Sequence, residues 1–224
     1  MARNSKLTPT KGTNNSAVRK HRKSTSKAPL SKKQSTSTDA AANAAPREIV
    51  IKVSKGATGD RVFFFGAQKE NGCLSNMFRS RFEKNGNVFL TVEHYFQYQK
   101  AAMFEDAAAM RKILAAPNPK SAKAFGRKVK NFEDKPWVDA VYGIVIEACR
   151  LKFTESEFAS ELRAQLLATG NAEILEASRT DRRWGIGLTI KQAMEHNGPW
   201  PGQNLLGRAL QETRQWLRET YDEK

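Results

Sequence analysis

The sequence has little cysteine and little histidine. Cys73 and Cys149 are its only cysteines in 224 residues, and neither stands in a CxxC or Cys/His spacing. That argues against a disulfide framework and a structural zinc site, and two unpaired thiols suit a reducing compartment. No second histidine is spaced to pair with His94, so no metal is expected, and no cofactor either. No apolar run approaches the ~20 residues of a membrane span, and no apolar signal-peptide core follows the first Met. A soluble chain without membrane partners is expected. No repeat of 20–50 residues is visible. Acidic residues are also scarce, 23 against 38 Lys and Arg, which leaves a net charge of +15 and points to an anionic partner.

That charge is unevenly placed. Residues 1–46 hold ten Lys or Arg against Asp39 alone, so this stretch carries +9 and the rest of the chain +6. It is built of Ser, Thr, Lys, Asn and Ala, too little apolar surface to offset the entropy of ordering, and a disordered basic tail is expected. Arg19-Lys20-His21-Arg22-Lys23 reads as a nuclear-localisation or nucleic-acid patch, or equally as a solubilising run. A nuclear or cytoplasmic location follows, with an organellar transit peptide ranked below both.

From residue 47 to 224 the pattern is that of one α+β domain, mainly helical, with a few short strands and a loop-lined cleft. Ile49–Val53 and Val62–Phe65 are β-like runs, and Asn85-Gly86-Asn87 is a turn leading into a strand at Val88–Leu90. Thr91 is a candidate N-cap for a helix from Val92 to about Met103. Further helices are expected at Glu105–Ala115 and Lys120–Gly126, the latter opened by Pro119. Apolar residues recur at helical spacing from Trp137 to Leu151, from Phe158 to Leu166 and from Leu206 to Leu217, and their plain reading is core. Ser178 to Gln203 reads as a long loop dense in Gly, Trp and charge, and loops of that length are usually functional.

Three clusters carry residue types that burial alone does not require. In the first, Gly66 to Phe82, Asn76 offers donors and acceptors on a short arm suited to ribose hydroxyls, although Ser-Asn in a loop is more often a local turn. In the second, Glu93, Phe96 or Gln97, and Lys100 share a helical face, with Glu93 and Lys100 about 10 Å apart along the axis. The alternative, a solvated charged face, fits poorly with the surrounding aromatics. The third runs from Ser178 to Gly187 and is completed by Gly202 to Arg208. Here Asp181 can act as a base, Trp184 can stack on a base, and the glycines admit backbone amides to a phosphate. Asn204 stands at the expected start of the last helix, as an N-cap, an anion site or both.

The order of these motifs is more specific than any one of them. A Phe-Phe-Gly strand end, Ser-Asn-Met-Phe, Val-Glu-His-Tyr-Phe-Gln-Tyr-Gln-Lys, Phe-Gly-Arg at 125–127, Asp-Arg-Arg-Trp-Gly and Asn-Leu-Leu-Gly follow one another from about Val62 to Leu217. This resembles the NADAR family, named for a link to NAD and ADP-ribose metabolism. The resemblance implies N-glycosidase activity, either on a ribosylamino-pyrimidine phosphate of riboflavin synthesis or on ADP-ribose attached to guanine in nucleic acid. It places the family's catalytic positions on Glu93, Lys100 and Asp181. Ligand contacts fall on Gly66, Asn76, Phe96, Arg127, Trp184, Gly185, Asn204 and Gly207. Two departures bear on substrate choice: Lys128 stands where some members carry an acid, and the loop from Leu188 to Gly202 is longer than in compact members.

Breaking a ribose–nitrogen bond requires protonation of the departing base and stabilisation of positive charge on the sugar carbon. Glu93 is then the expected acid/base, and Asp181 holds or activates the incoming group. Lys100 either pins a phosphate or hydroxyl as a cation or attacks the opened ribose as a Schiff-base nucleophile. The basic tail favours DNA or RNA carrying ADP-ribose as the partner, with ADP-ribose as product. The competing expectations are the riboflavin intermediate and a non-catalytic binder of ADP-ribose or nucleic acid. Oligomeric state is not legible.

Overall fold

Two strands that lie far apart in the sequence organise the fold. The structure, a computed structural model, describes residues 49–221 apart from 57 and 58, so the expected tail and its basic cluster lie outside the described residues. β1 (Arg61–Phe64) pairs in parallel with β4 (Glu173–Glu176), with Val62 opposite Ile174 and Phe64 opposite Glu176. Parallel strands are normally covered on both faces, and this pair is. Val62, Phe64 and Ile174 face the main core with Val145, Phe153 and Leu210, while Phe63 and Leu175 face Ile186 and Ala193 on the other side. A second, antiparallel pair, β2 (Phe82–Lys84) and β3 (Asn87–Phe89), is joined by a turn in which Asn85 and Gly86 both adopt positive φ.

The helices between them follow their local signals closely. α1 (Val92–Met103) begins at Thr91, whose hydroxyl accepts from the His94 N–H. α2 (Ala107–Leu114) is capped by Asp106, and α3 (Pro119–Gly126) by Asn118 with Pro119 in the first turn. α4 (Asp134–Thr154), α5 (Ala159–Ala168) and α7 (Leu205–Tyr221) bury the apolar stripes that their spacing predicts. α1 packs against α2, α3 and α4, which makes it the hub of the helical layer. No described helix is long and apolar enough to cross a membrane.

Two expectations are corrected, and one strand was not foreseen. Ile49–Val53 is not a strand: the Lys52 N–H and carbonyl are engaged by the Asn71 side chain, and the Ile51 N–H donates to Gln165 Oε1, so these groups are satisfied by side chains rather than by a neighbouring strand. β4 was not legible as a strand in Ala172–Ala177, and the stretch from 178 to 203 is not wholly irregular. It contains α6 (Ile190–Glu195), opened by a capping box between Thr189 and Gln192, and this segment covers the outer face of the β1–β4 pair.

Candidate active site

The first turn of α1 is locked to the turn before β2. The Glu93 N–H donates to the Asn76 carbonyl at 3.0 Å. Below that turn lies Lys152, fully buried on α4, whose ammonium donates to the carbonyls of Cys73 and of Ser75, the latter at 3.0 Å. Burial pushes the Lys152 amine down to about 8. His94 faces away from Glu93 and is spent structurally, with Nδ1 2.8 Å from the Thr91 hydroxyl and Nε2 3.1 Å from the Ala116 carbonyl. It is a satisfied core histidine.

Glu93, held this way, points into a cavity of about 360 Å³. Three carboxyls line it: Glu93 from α1, Glu176 from the end of β4 and Asp181 from the loop beyond. Two cations, Lys123 and Arg127, project from the C-terminal half of α3 and its cap. The aromatic wall is Trp137, Phe96 and Trp184, with Phe96 edge-on to Trp137 at 5.2 Å and to Trp184 at 5.8 Å between ring centroids. Ser75, Asn76 and Met77 close another side.

Each carboxyl is fixed differently. Glu93 accepts Gln97 Nε2 at 2.8 Å, one helical turn on. Burial holds its carboxyl above the usual range, opposed by the Gln97 hydrogen bond and by Lys123 and Arg127, and reinforced by Asp181. Asp181 Oδ1 accepts the backbone N–H groups of Arg183 and Trp184 at 3.1 and 2.9 Å, so the Asp-x-x-Trp spacing is what seats the acid beside the ring. Glu176 is pushed up to about 7, first by burial and then by Asp181 and Glu93, against Lys123. Buried carboxyls near other carboxyls resist ionisation because no dielectric is available to screen the charge.

Of the residues picked out in the sequence, Glu93, Asp181, Asn76, Phe96, Arg127 and Trp184 meet at this cavity. Lys100 does not line it. Its ammonium lies 3.9 Å from the Phe132 ring centroid and 5.7 Å from that of Trp137, and burial lowers its pKa while Asp134 opposes the shift. Two helical turns from Glu93 carry it instead to the Phe132 and Trp137 rings. Gly66, with φ of 72°, lines a second cavity of about 390 Å³ that shares Met77 with the first.

Gly185, Asn204 and Gly207 support the wall without lining it. A Cβ on Gly207 would stand 2.1 Å from the Ile174 carbonyl oxygen, and one on Gly185 2.7 Å from that of Glu176. Asn204 adopts φ of 52° and sends its side chain to β4, donating to the Ile174 carbonyl and accepting the Glu176 N–H. The N–H groups of Asn204, Leu205 and Leu206 donate to the carbonyls of Gly185, Arg183 and Trp184, so the start of α7 has these donors committed and is not an anion site. Sequence reasoning missed Lys123, Trp137 and Glu176 as cavity residues. Lys123 and Trp137 could have been found from their position on helices that bracket Phe-Gly-Arg, whereas Glu176 gave no signal without β4.

The model of the NADAR domain family matches residues 63–218. An N-glycosidase of Acanthamoeba polyphaga mimivirus is 38% identical over 167 residues, 70% of this chain and 96% of that one. The N-glycosidase YbiA of Escherichia coli is 32% identical over 154 residues, 69% of this chain and 86% of its own length. A riboflavin biosynthesis protein of Vibrio vulnificus is 30% identical over 158 residues, which span 70% of this chain but 39% of that protein. The NMR structure of E. coli YbiA superposes with a TM-score of 0.59 at 31% identity, covering 72% of this chain and 87% of the other.

Proposed function

The chain belongs to the NADAR family, and on that premise we propose that it is an N-glycosidase that hydrolyses the bond between ribose and nitrogen in ADP-ribose attached to guanine in nucleic acid. The observation that carries the reading is the convergence of Glu93, Glu176 and Asp181 on one cavity that also presents Lys123 and Arg127. Carboxyls supply what C–N cleavage needs: a proton for the departing nitrogen and negative charge near the sugar carbon as positive charge develops there. The two cations suit phosphate, and Trp184 and Phe96 offer faces to a ring.

Glu93 serves as acid/base, and Asp181 orients the water that replaces the base. Its oxygen joins the anomeric carbon, one of its protons ends on a carboxylate, and the nitrogen leaves with a proton taken from the site. The cationic role expected of Lys100 passes to Lys123 and Arg127, which stand in the cavity. The basic stretch at 1–46 supports a polyanionic substrate through non-specific attraction to phosphates.

The deciding experiment incubates the protein with an oligonucleotide carrying ADP-ribose on guanine and follows release by gel shift and mass. The expected result is free ADP-ribose and restored guanine, abolished in Glu93→Gln with binding retained. A second reading, cleavage of a ribosylamino-pyrimidine phosphate, is favoured by the name of the Vibrio relative. Turnover of that compound alone would replace the first reading by the second.

A further inference from the structure

Two residues that line the cavity each carry a buried side-chain oxygen with no hydrogen-bond partner in the described structure: Oε2 of Glu176 and Oδ1 of Asn76. A buried polar group left unpaired costs about 1–3 kcal/mol, so each calls for an explanation, and a role in binding or catalysis is one. Both sit on backbone that is tightly held. Glu176 is the last residue of β4, its N–H given to the Asn204 side chain and its carbonyl accepting the Ile186 N–H at 2.9 Å. Glu93 differs, because one of its oxygens already accepts Gln97.

We propose that Glu176 is the catalytic proton donor of this site, delivering its carboxyl proton to the departing nitrogen, while Glu93 acts as the anionic partner that faces the developing positive charge. The inference rests on the N-glycosidase reading above and moves to Glu176 the proton transfer given there to Glu93, which keeps an electrostatic role. As the C–N bond breaks, its electron pair stays on nitrogen and takes up the Glu176 proton. Water then adds to the sugar carbon, and the proton it sheds returns to Glu176.

The charged groups around Glu176 fit this division. Asp181 beyond β4 and Glu93 on α1 both disfavour its ionisation, and Lys123 on α3 is the cation that opposes them. Glu93 is likewise pushed up by burial and by Asp181, but it has the Gln97 donor, Lys123 and Arg127 acting in favour of its charged form. Glu176 has an oxygen with no donor upon it, whereas Glu93 has a donor and two cations beside it.

The experiment compares two N-ribosides on wild type, Glu176→Gln and Glu93→Gln. One has an amine leaving group that must be protonated; the other has a pyridinium leaving group that departs neutral without a proton. For Glu176→Gln the expected loss in kcat/KM is about 10²–10⁴-fold on the amine, the range typical of a lost general acid, and less than about tenfold on the pyridinium. Glu93→Gln should lose activity on both. On the amine riboside wild type is expected to slow above neutral pH, and the residual activity of Glu176→Gln should lack that fall; a wild type that cleaves only the pyridinium riboside would need no proton donor and would overturn the proposal. Equal losses of Glu176→Gln on both ribosides, an unchanged pH profile, or full activity on the amine would overturn the proposal while leaving the glycosidase reading intact. Wild type inactive on every riboside would instead overturn that reading, and this inference with it.

Discussion

A Cβ added to Gly126 on α3 would stand 1.8 Å from Oε1 of Gln97 on α1 and 2.9 Å from its Cβ. Gln97 in turn is the hydrogen-bond donor to Glu93. Gly126→Ala is therefore expected to displace Gln97 and lower turnover about tenfold, the value of one hydrogen bond of roughly 1.4 kcal/mol at the reacting group. Gln97→Ala should reproduce the loss in kcat without the packing change, and the comparison of the two by thermal melting separates the effects. The lysines give a second residue-scale prediction. Lys123→Ala should reduce kcat/KM more than Lys100→Ala, since only Lys123 lines the cavity. Borohydride trapping on substrate should leave Lys100 unmodified, and an adduct there would restore the Schiff-base role.

At the scale of elements, much of the helical layer was legible and one sheet was not. α1 and α3 announce themselves through Thr91, Asn118 and Pro119, local devices whose partners lie within one turn. β4 has four residues and its strand partner among the described residues, β1, is more than a hundred residues away, so no local pattern marks it. Glu176 was lost with it. Asp181, Trp184 and Glu93 could be read because each sits in a short motif that makes its own geometry, such as the Asp181 carboxylate accepting from Arg183 and Trp184. Gly185, Asn204 and Gly207 belong to the same motifs, yet their work is to bring α7 against β4. Gly207→Ala is accordingly expected to destabilise by about 2 kcal/mol or more, because the added methyl meets the Ile174 carbonyl and the Asn204 side chain that is itself hydrogen-bonded to β4. Urea denaturation would measure it, and a neutral result would remove the close-packing role.

For the whole molecule, the site's carboxyls tie stability to pH. Glu176 stands at about 7 in the folded chain against 4.5 for the free group, so the folded state holds the extra proton between these values. Stability from this group is fully present below about 4.5 and is lost as pH rises through about 7, a difference of about 3 kcal/mol. Thermal melting of wild type should show this decline, and Glu176→Gln should flatten it. Charge acts at the same scale. Removal of residues 1–46, which carry +9 of the +15, should leave turnover of a small riboside unchanged and weaken binding to an oligonucleotide, most visibly at low salt.

The glycine contacts have one more consequence. Gly126 meets a side chain, whereas Gly185, Gly202 and Gly207 meet carbonyl oxygens, with a Cβ on Gly202 falling 2.2 Å from that of Gly185. Main chain resting on main chain sets the frame from which the residues facing the ligand hang. Such an arrangement lets a lineage exchange Met77 or Lys123 to suit a new leaving group while the carboxyls stay in place. Diversity of substrate within one reaction type is what a scaffold divided in this way permits.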